Sequence, residues 1–328
     1  MKIGYFLSSE ETAPAELVRQ ARLAEQAGFE GLWISDHFHP WNDAQGHSAF
    51  VWSVIGAISQ ATSRMKVTTA VTCPTFRVHP AIVAQAAATS AVLLEGRFAL
   101  GVGSGEALNE HILGERWPEA DERLEMLEEA VQVIRTLWQG GMQSHRGRHY
   151  RVENARIYDL PEPTPPILIS GFGPKATELA ARIGDGFCTV APVKQAAQTV
   201  REKGGQDKLI AGAAKVCWDE DERRARETAY RLWPNDELPG ELSQILPTPA
   251  HFEQASQLVT EDQVAEAIPC GPDLDAHLQK IAEYEEAGFD ELYIQQVGGG
   301  HERLFELYAQ EILPRFNRTD ARAGAAVA

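Results

Sequence analysis

The densest group of residues able to do chemistry lies at positions 35–41, which read Ser-Asp-His-Phe-His-Pro-Trp. Asp36 supplies a carboxylate, His37 an imidazole that exchanges a proton near neutral pH, and Trp41 a flat face for stacking. The segment follows the apolar run 32–34, which has the composition of a short buried strand. We therefore expect these side chains to line a pocket where that strand ends.

Two glycine-rich segments offer places where a ligand can approach the main chain. Residues 101–106, Gly-Val-Gly-Ser-Gly-Glu, lack the last glycine of a dinucleotide fingerprint, and we interpret them as a surface for a flat cofactor. Glu106 adds a second titratable group, so a glutamate and a histidine on facing loops could divide acid and base roles. Residues 171–175, Gly-Phe-Gly-Pro-Lys, enter a predicted helix, where main-chain amides are typical of a phosphate site.

Four further residues are weaker candidates, each more typical of a surface or pocket-rim position: Glu10, His39, His47 and Lys194. The chain contains no HExxH, GxSxG or P-loop motif and no Cys/His spacing typical of a metal site. The sequence therefore predicts neither a hydrolase nor a metal site. The four cysteines lie far apart without a CxxC pair, which predicts buried reduced thiols.

The composition narrows the class of protein and of partner. The 328 residues are 44% hydrophobic, enough for a large core, and carry a formal net charge of -17. Such a chain repels nucleic acid and anionic lipid, although a local basic pocket can still hold a small anion. No stretch approaches the ~18 apolar residues of a membrane span, and residues 1–6 resemble a first strand more than a signal peptide. We therefore expect a soluble, cytoplasmic protein.

Strand and helix signals alternate along the chain. Short apolar runs predict eight strands, at 3–7, 31–34, 65–71, 98–103, 165–170, 186–190, within 208–217, and at 292–296. Apolar residues at helical spacing predict helices at 15–27, 50–61, 80–94, 123–139, 175–183, 219–231, 273–287 and 302–316. Repeated strand–helix units of this number favour a closed (β/α)8 TIM barrel with insertions, in one domain over residues 1–316.

Other segments depart from the repeat. Residues 150–158 predict a small hairpin, and residues 235–258, rich in Pro and polar side chains, predict an irregular insertion with short helices. Residues 317–328 predict a disordered tail. Segments 25–34 and 285–294 share one pattern of helix, Gly, Phe and strand near the two ends of the chain.

The predicted barrel brings separate motifs together. Functional groups in a (β/α)8 barrel collect at the carboxyl ends of the strands. Asp36, Cys73, Glu106 and Gly171 all fall at such positions. We therefore expect them around one shared pocket.

Three segments read together resemble one known family: residues 35–41, residues 72–77 (Thr-Cys-Pro-Thr-Phe-Arg) and residues 101–110 (Gly-Val-Gly-Ser-Gly-Glu-Ala-Leu-Asn-Glu). From about residue 2 to about residue 315 the chain resembles the luciferase-like flavin and deazaflavin superfamily. Within it, the chain is similar to the glucose-6-phosphate dehydrogenase branch, which uses the deazaflavin coenzyme F420. The resemblance implies a (β/α)8 barrel, a homodimer, and hydride transfer from a sugar C1–H to C5 of the deazaflavin.

The resemblance also implies roles for residues around the reaction. His37 would take the proton of the sugar hydroxyl, Glu106 would protonate the reduced cofactor, and Trp41 would stabilise the reacting complex. Glu10, at the pocket edge, Trp41 and Lys194 would face the substrate.

A larger set would surround the cofactor. Asp36 would contact the deazaflavin or hold His37, and Ala70-Val71 would match a non-proline cis peptide bond behind the deazaflavin ring. The implied cofactor residues are Asp36, Ala70, Val71, Cys73, Gly103, Ser104, Asn109, Gly171, Gly173, Val190 and Ala191.

The late insertion departs from the family pattern. Relatives hold the sugar phosphate through Lys and Arg after the sixth strand and in this insertion, yet residues 249–254 and 264–268 contain neither. A phosphate dianion here would lose charge-assisted hydrogen bonds of about 1.5–3 kcal/mol each. We therefore expect an F420-dependent dehydrogenase that acts on a non-phosphorylated sugar or another secondary alcohol.

Three alternatives stay open. One is an F420-dependent glucose-6-phosphate dehydrogenase proper, and another is an FMN-dependent monooxygenase or reductase on the same barrel. The third is a non-catalytic cofactor-binding protein, against which the pair of His37 and Glu106 argues, since binding alone needs neither acid nor base.

Overall fold

Eight parallel strands close into a barrel in the computed structural model, which describes residues 1–316. The strands follow one another around the barrel in chain order, and the first, Lys2–Leu7, pairs with the last, Glu291–Gln296. This confirms the predicted (β/α)8 barrel. The tail predicted to be disordered, residues 317–328, lies outside the described residues.

Ten strands occur in the described part of the chain, and two of them, β5 and β6, form a separate hairpin. The strands are β1 (Lys2–Leu7), β2 (Gly31–Ile34), β3 (Lys66–Thr69), β4 (Phe98–Val102), β5 (Gln143–Arg146), β6 (Arg151–Ala155), β7 (Ile167–Ser170), β8 (Gly186–Thr189), β9 (Leu209–Val216) and β10 (Glu291–Gln296).

The helices surround the barrel and extend some of its loops. They are α1 (Pro14–Ala27), α2 (Val51–Ala61), α3 (Pro80–Leu93), α4 (Ala107–Glu110), α5 (Ala120–Leu137), α6 (Pro174–Ile183), α7 (Lys194–Gly204), α8 (Glu222–Leu232), α9 (Leu242–Ile245), α10 (Pro249–Ser256), α11 (Glu261–Ala267), α12 (Leu274–Glu286), α13 (His301–Leu307) and α14 (Leu313–Phe316). Short 3-10 turns occupy His111–Leu113 and Pro234–Glu237, and a π-helical turn at Tyr308–Ile312 joins α13 to α14.

The strands bury side chains on both of their faces. Inside the barrel, Phe6, Trp33 and Tyr293 belong to one apolar cluster, in which the rings of Trp33 and Tyr293 stack at a centroid distance of 4.5 Å. On the outer face, strand residues such as Ile3 pack against helix residues such as Leu17. Because neighbouring strand residues face opposite sides, the continuous apolar runs seen in the sequence supply both layers.

The repeated pattern near the chain ends produces the same local structure twice. Gly28 after α1 and Gly288 after α12 have φ angles of 98° and 87°, in the left-handed region that favours glycine. The next residues, Phe29 and Phe289, are buried, and each donates its main-chain N–H to a carbonyl of the preceding helix. Each Gly therefore ends its helix, and each buried Phe packs the end of that helix against the barrel.

A long segment connects β9 to α12, and we call residues 218–269 of this segment the cap. The predicted irregular insertion, 235–258, is the middle part of the cap. The cap builds a small apolar core of its own, separate from the barrel core. Its buried members from the cap are Ala225, Ala229, Leu232, Trp233, Leu238, Phe252, Val259, Val264 and Ile268, and Leu108, Cys217 and Val297 join it from the end of the barrel.

The sequence did not predict some elements correctly. The hairpin pairs residues 143–146 with 151–155, not within 150–158, because its strands are polar and partly exposed and lack apolar alternation. Helix α7 was missed since it buries only the small side chains of Ala196, Ala197 and Val200. Helix α11 is seven residues long and buries Val264 alone.

The described residues show few features that bear on thiol chemistry, membrane insertion or metal binding. All four cysteines are free, and three of them are buried, while Cys270 is half-buried. Within residues 1–316, no helix combines the length and apolarity needed to cross a bilayer. In the same part of the chain, no cluster of three or more His, Cys, Asp or Glu side chains is arranged to hold a metal ion.

Candidate active site

Three titratable side chains meet where three barrel strands end. Glu10 follows β1, His37 follows β2, and Glu106 follows β4, so all three approach from the carboxyl ends of the strands. The Nδ1 atom of His37 lies 3.0 Å from Glu10 Oε1, and its Nε2 atom lies 3.6 Å from Glu106 Oε1. The imidazole therefore sits between two carboxylates, on the face of the barrel where enzymes of this fold do their chemistry.

The surroundings of His37 change the pKa of this group and of its partner. Burial alone would lower the pKa of His37, but the charges of Glu10 and Glu106 and the contact with Glu10 raise it to about 9. Burial would raise the pKa of Glu10, but His37 and a hydrogen bond from Ser35 lower it to about 2. At neutral pH the pair is thus an imidazolium and a carboxylate.

Glu10 is not the pocket-edge residue that the sequence predicted. Its side chain is only 2% exposed and accepts hydrogen bonds from the hydroxyls of Ser8 (2.9 Å) and Ser35 (2.8 Å). These bonds leave Oε1 directed at His37. Glu10 therefore orients the imidazole, and the more exposed Glu106, at 20%, is the carboxylate that a ligand can reach.

The main chain around His37 is held on its carboxyl-terminal side. The amides of Phe38 and His39 both donate to the side-chain oxygen of Asn109, at 2.8 and 2.9 Å. Asn109 also donates to Glu106 through its amide nitrogen. One buried side chain of α4 therefore fixes the loop of the imidazole and orients the second carboxylate.

Asp36 does not hold His37, which was one of its two predicted roles. Its carboxylate instead accepts from Thr72 Oγ1 at 2.7 Å and from the Arg77 guanidinium at 2.9 Å. Arg77 also pairs with the buried Glu110. The contact of Asp36 with a cofactor stays a prediction.

Trp41 connects the site to the cap. Its ring meets His37 edge-on at a centroid distance of 5.1 Å and meets Phe252 of α10 at the same distance. Phe252 is fully buried in the cap core. The wall opposite the barrel strands is therefore apolar next to the imidazole.

The loops after β3 and β4 provide a tightly packed surface beside the site. The peptide bond between Ala70 and Val71 is cis, as the resemblance implies. A Cβ atom at Gly103 would lie 2.8 Å from Val71 Cγ2, so only glycine allows these two loops to approach. Burial raises the pKa of the nearby Cys73 thiol well above its usual range, which keeps that thiol neutral.

The loops after β7 and β8 open the same end of the barrel to solvent. Helix α6 begins after Gly173 and helix α7 after Val193, and neither has a side-chain hydrogen bond at its N-cap. A Cβ atom at Gly173 would meet no atom within 4 Å, whereas one at Gly171 would clash with Ala176. Phe172, Val190 and Val193 expose apolar surface here.

The remaining candidates lie around these loops. Ser104 and Ala191 are half-buried, and Lys194 is exposed as the first residue of α7. His39 and His47 take part in main-chain hydrogen bonds, with Leu108 and Glu10 respectively. The two histidines therefore support the loops and lie outside the contacts of the His37 imidazole.

The chain was compared with known proteins. The sequence profile described as luciferase-like monooxygenase matches residues 1–291. The chain belongs to the luciferase-like monooxygenase family. Two curated members of the family are F420-dependent glucose-6-phosphate dehydrogenases, from Microbacterium testaceum (strain StLB037), 35% identical over 97% of this chain and 98% of the relative, and from Mycobacterium avium (strain 104), 37% identical over the same shares.

A solved family structure has the same architecture. It is an F420-dependent secondary alcohol dehydrogenase in complex with an F420–acetone adduct, 31% identical, with a TM-score of 0.87 over 95% of this chain and 98% of that one. The luciferase-like fold and family that the sequence predicted are therefore confirmed.

Several site residues of this family member were not found from its sequence. Arg77 and Glu110 lie in segments that carry the resemblance, and Phe252 lies in the late insertion, but none of the three had an assigned role. Arg77 and Glu110 lie 33 positions apart, so their contact leaves no short spacing pattern that could be recognised in the sequence. The sequence indicated this apolar wall only through the absence of Lys and Arg from residues 249–254, which include Phe252.

Proposed function

We propose that this chain is an F420-dependent dehydrogenase that oxidises a neutral secondary alcohol, with His37 as the proton acceptor. The observation that carries the proposal is the imidazole of His37 between Glu10 and Glu106 at the carboxyl end of the barrel. Relatives whose names specify F420 match almost the whole chain at 35–37% identity, which supports the choice of cofactor.

The residues at this end of the barrel fit a long, partly anionic cofactor. Two helix N-termini without side-chain caps, those of α6 and α7, can donate main-chain amides to a phosphate. The exposed apolar side chains of Phe172, Val190 and Val193 beside them form a surface that a bound ligand would cover. On this basis the loops after β3, β4, β7 and β8 would hold F420.

Bound F420 would supply a hydride acceptor, and the protein would handle the proton. Nδ1 of His37 faces Glu10, so Nε2 is the atom left to accept the hydroxyl proton of the alcohol. The buried carboxylate of Glu10 stabilises the imidazolium that forms. Glu106, held by Asn109 and 3.6 Å from Nε2 of His37, would deliver the proton that the reduced cofactor takes up.

The cap favours a substrate without a phosphate group. Residues 232–269 of the cap contain seven Asp or Glu and no Lys or Arg, and the four arginines of the cap all lie on α8. Phe252 packs on Trp41 at the point where a substrate would approach His37. The phosphate of a phosphorylated sugar would lie near carboxylates and an apolar ring, with no cation among residues 232–269 to bind it. A neutral alcohol carries no charge and therefore needs no cationic partner when it leaves water.

A glucose-6-phosphate dehydrogenase is the second candidate. The names of the curated relatives favour it, as does the exposed Lys194 at the start of α7, which is free to meet an anion. An FMN-dependent monooxygenase shares the barrel, and comparative binding of FMN and F420 separates it from both dehydrogenases.

The test is stopped-flow reduction of F420 with 2-propanol, larger secondary alcohols, glucose and glucose 6-phosphate. We expect bleaching of oxidised F420 with a neutral alcohol, and loss of this reaction in His37→Ala. The matched control is His145→Ala, since His145 forms a similar pair with Glu129 at 3.0 Å, with comparable exposure, in the β5–β6 hairpin. A preference for glucose 6-phosphate would contradict the substrate proposal, and tight binding of FMN alone would contradict the cofactor.

We also propose a homodimer through the adjacent outer faces of α2 and α3. Residues 50–61 and 80–94 contain no charged side chain, in a chain with a formal net charge of -17. Phe50, directly before α2, and Ile82 and Val92 of α3 expose large apolar side chains. A neutral apolar face is self-complementary, so two copies can pair there without charge repulsion.

A further inference from the structure

Arg77 is a buried cation that the proposed reaction does not use. It lies in the loop after β3, and its side chain is only 7% exposed. The guanidinium donates to the carboxylate of Asp36 at 2.9 Å and to the main-chain carbonyl of Asp36 at 3.1 Å. A second edge of the residue meets Glu110, with the main-chain N–H at 3.0 Å and Nε at 3.3 Å from its carboxylate oxygens.

These contacts join three loops at the active end of the barrel. Asp36 follows β2, Arg77 follows β3, and Glu110 ends α4 after β4. Thr72 Oγ1 occupies the other carboxylate oxygen of Asp36 at 2.7 Å, so both oxygens are engaged. The loop that carries His37 is thereby tied to its two neighbours along the barrel.

His37 stands between this network and Asn109. Asp36, which Arg77 holds through side chain and main chain, directly precedes His37, while Asn109 holds the amides of the next two residues. The carbonyl of His37 itself accepts from Ser48 Oγ at 2.7 Å. The position of the imidazole therefore depends on contacts on both flanks, and Arg77 supplies those on the amino-terminal flank.

We propose that Arg77 is a positioning residue for the hydride-transfer reaction, acting through Asp36 and the main chain of His37. This inference rests on the proposed function. Arg77 reaches Asp36 through Nη2 and Glu110 through Nε at the same time, which requires the planar fork of the guanidinium and which the single ammonium of lysine does not reproduce. Displacement of a reacting group by about 1 Å can slow catalysis on the order of 100-fold.

The positive charge of Arg77 provides a second way to test its role, through the pKa of His37. The charged groups that act on the pKa of His37 are Glu10 after β1, Glu106 after β4 and Arg77 after β3. The two glutamates raise the pKa of His37, and the positive charge of Arg77 lowers it. Removal of that charge should therefore move the titration of His37 to higher pH, whereas a residue that only supports the fold would leave it unchanged.

The variants are Arg77→Lys, which keeps the charge and loses the fork, Arg77→Met, which loses both, and Thr72→Val, which frees the other oxygen of Asp36. The matched controls are Arg97→Lys and Arg97→Met. Arg97 also donates to main-chain carbonyls, those of Met65 at 2.8 Å and Thr62 at 3.2 Å, but at the opposite end of the barrel. Thermal unfolding of each variant reports any loss of fold.

The first measurement is an NMR titration of the histidine imidazoles without cofactor. We expect the His37 titration to move to higher pH in Arg77→Met and to stay in place in both Arg97 variants. An unchanged His37 titration in a folded Arg77→Met protein would overturn the inference. If Arg77→Met does not fold, Arg77→Lys and Thr72→Val carry the test through the second measurement.

The second measurement is single-turnover reduction of F420 by the best alcohol, together with F420 affinity. We expect Arg77→Lys to slow hydride transfer on the order of 10- to 100-fold, with affinity within about threefold of the unsubstituted protein. Thr72→Val should slow it less, and the Arg97 variants should leave it unchanged. Unslowed transfer in both Arg77→Lys and Thr72→Val would overturn the inference. Failure of the unsubstituted protein to reduce F420 with any alcohol would contradict the proposed function, and the His37 titration would then decide the role of Arg77.

Discussion

If His37 exchanges the proton of the substrate, as we propose, its protonation state controls whether the site oxidises an alcohol or reduces a carbonyl. Glu10 and Glu106 hold the pKa of His37 at about 9, so the imidazole is positively charged at neutral pH. A proton acceptor must be neutral, whereas a proton donor must be charged. Under the proposed function, we therefore expect reduction of a carbonyl to be favoured near neutral pH and oxidation of an alcohol at higher pH.

We expect the rate of alcohol oxidation to rise with pH, to be half-maximal near pH 9 and to level off above it. The physical reason is the loss of the His37 proton over that range. Single-turnover F420 reduction between pH 6 and 10 measures it, and carbonyl reduction should show the reverse trend. A rate that is already maximal at pH 7 would contradict this assignment. His145→Ala should have the same profile as the unsubstituted protein.

Glu10→Gln should move that profile to lower pH, because the carboxylate that raises the pKa of His37 is removed. The substitution should also destabilise the fold, on the order of 1–3 kcal/mol. The raised pKa of His37 contributes stability that is complete below about pH 6.5 and lost as the pH rises through about 9. The loss in free energy of unfolding should thus be larger at pH 6.5 than at pH 9.5, as urea unfolding at the two pH values can measure. Glu129→Gln, which breaks the His145 pair, is the control, and an unmoved profile would contradict the role of Glu10.

The sequence predicted some of these residues and could not predict others. His37, Trp41 and Glu106 were recognisable because each follows an apolar strand signal and has a reactive side chain. Glu10 was assigned to the rim because no local pattern indicates that Ser8 and Ser35 bury it beside His37. Its partner is 27 positions away, and only the closure of β1 against β2 brings them together.

At the scale of elements, the loop after β2 and the cap form one wall. Gln45 accepts from the main-chain N–H of Trp41 at 2.8 Å and donates to the carbonyl of Leu232 at 2.8 Å. Asn42 donates to the same carbonyl at 2.9 Å. The last carbonyl of α8 is therefore satisfied by the loop that carries Trp41, which fixes the apolar wall relative to the barrel.

Gln45→Ala should raise KM for the alcohol several-fold while changing kcat less, because Trp41 and the cap lose a shared anchor and His37 does not. The loss of buried hydrogen bonds should lower the free energy of unfolding by about 1–3 kcal/mol. Steady-state kinetics and chemical unfolding measure the two effects. Gln132→Ala, at an exposed position of α5, is the control. An unchanged KM in Gln45→Ala would contradict this role of the anchor.

The elements of the barrel were predictable because their apolar runs and glycine stops repeat. The cap beyond α8 was not, since its helices are short and bury at most two side chains each, as α10 and α11 do. Its core forms only from contacts among segments far apart in the chain. Hydrophobic periodicity carries little information about such a unit.

At the scale of the whole molecule, the uncharged faces of α2 and α3 predict the mode of association. Ile82→Glu should convert the proposed dimer to a monomer, because two copies of a buried carboxylate would oppose each other across a two-fold axis. Light scattering after size-exclusion chromatography measures the mass. Met142→Glu, at an equally exposed apolar position in the hairpin region, should leave the mass unchanged. A monomeric mass for the unsubstituted protein, or a dimeric Ile82→Glu, would contradict the proposed interface.

The shared anchor at Leu232 also determines which parts of the molecule can be exchanged between relatives. Asn42 and Gln45 bind that main-chain carbonyl, and the main-chain N–H of Asp43 donates to the side chain of Glu253 in α10 at 3.0 Å, so the loop depends on where α8 ends and on the side chain at position 253. A chimera that receives only a relative's cap would keep these contacts only if its α8 ends at the same place and an acceptor stands at position 253. A chimera that receives residues 41–45 and 218–269 together should fold and acquire the donor's preference for alcohols. Substrate choice would then transfer as a two-part module, while the His37 chemistry would stay with the scaffold.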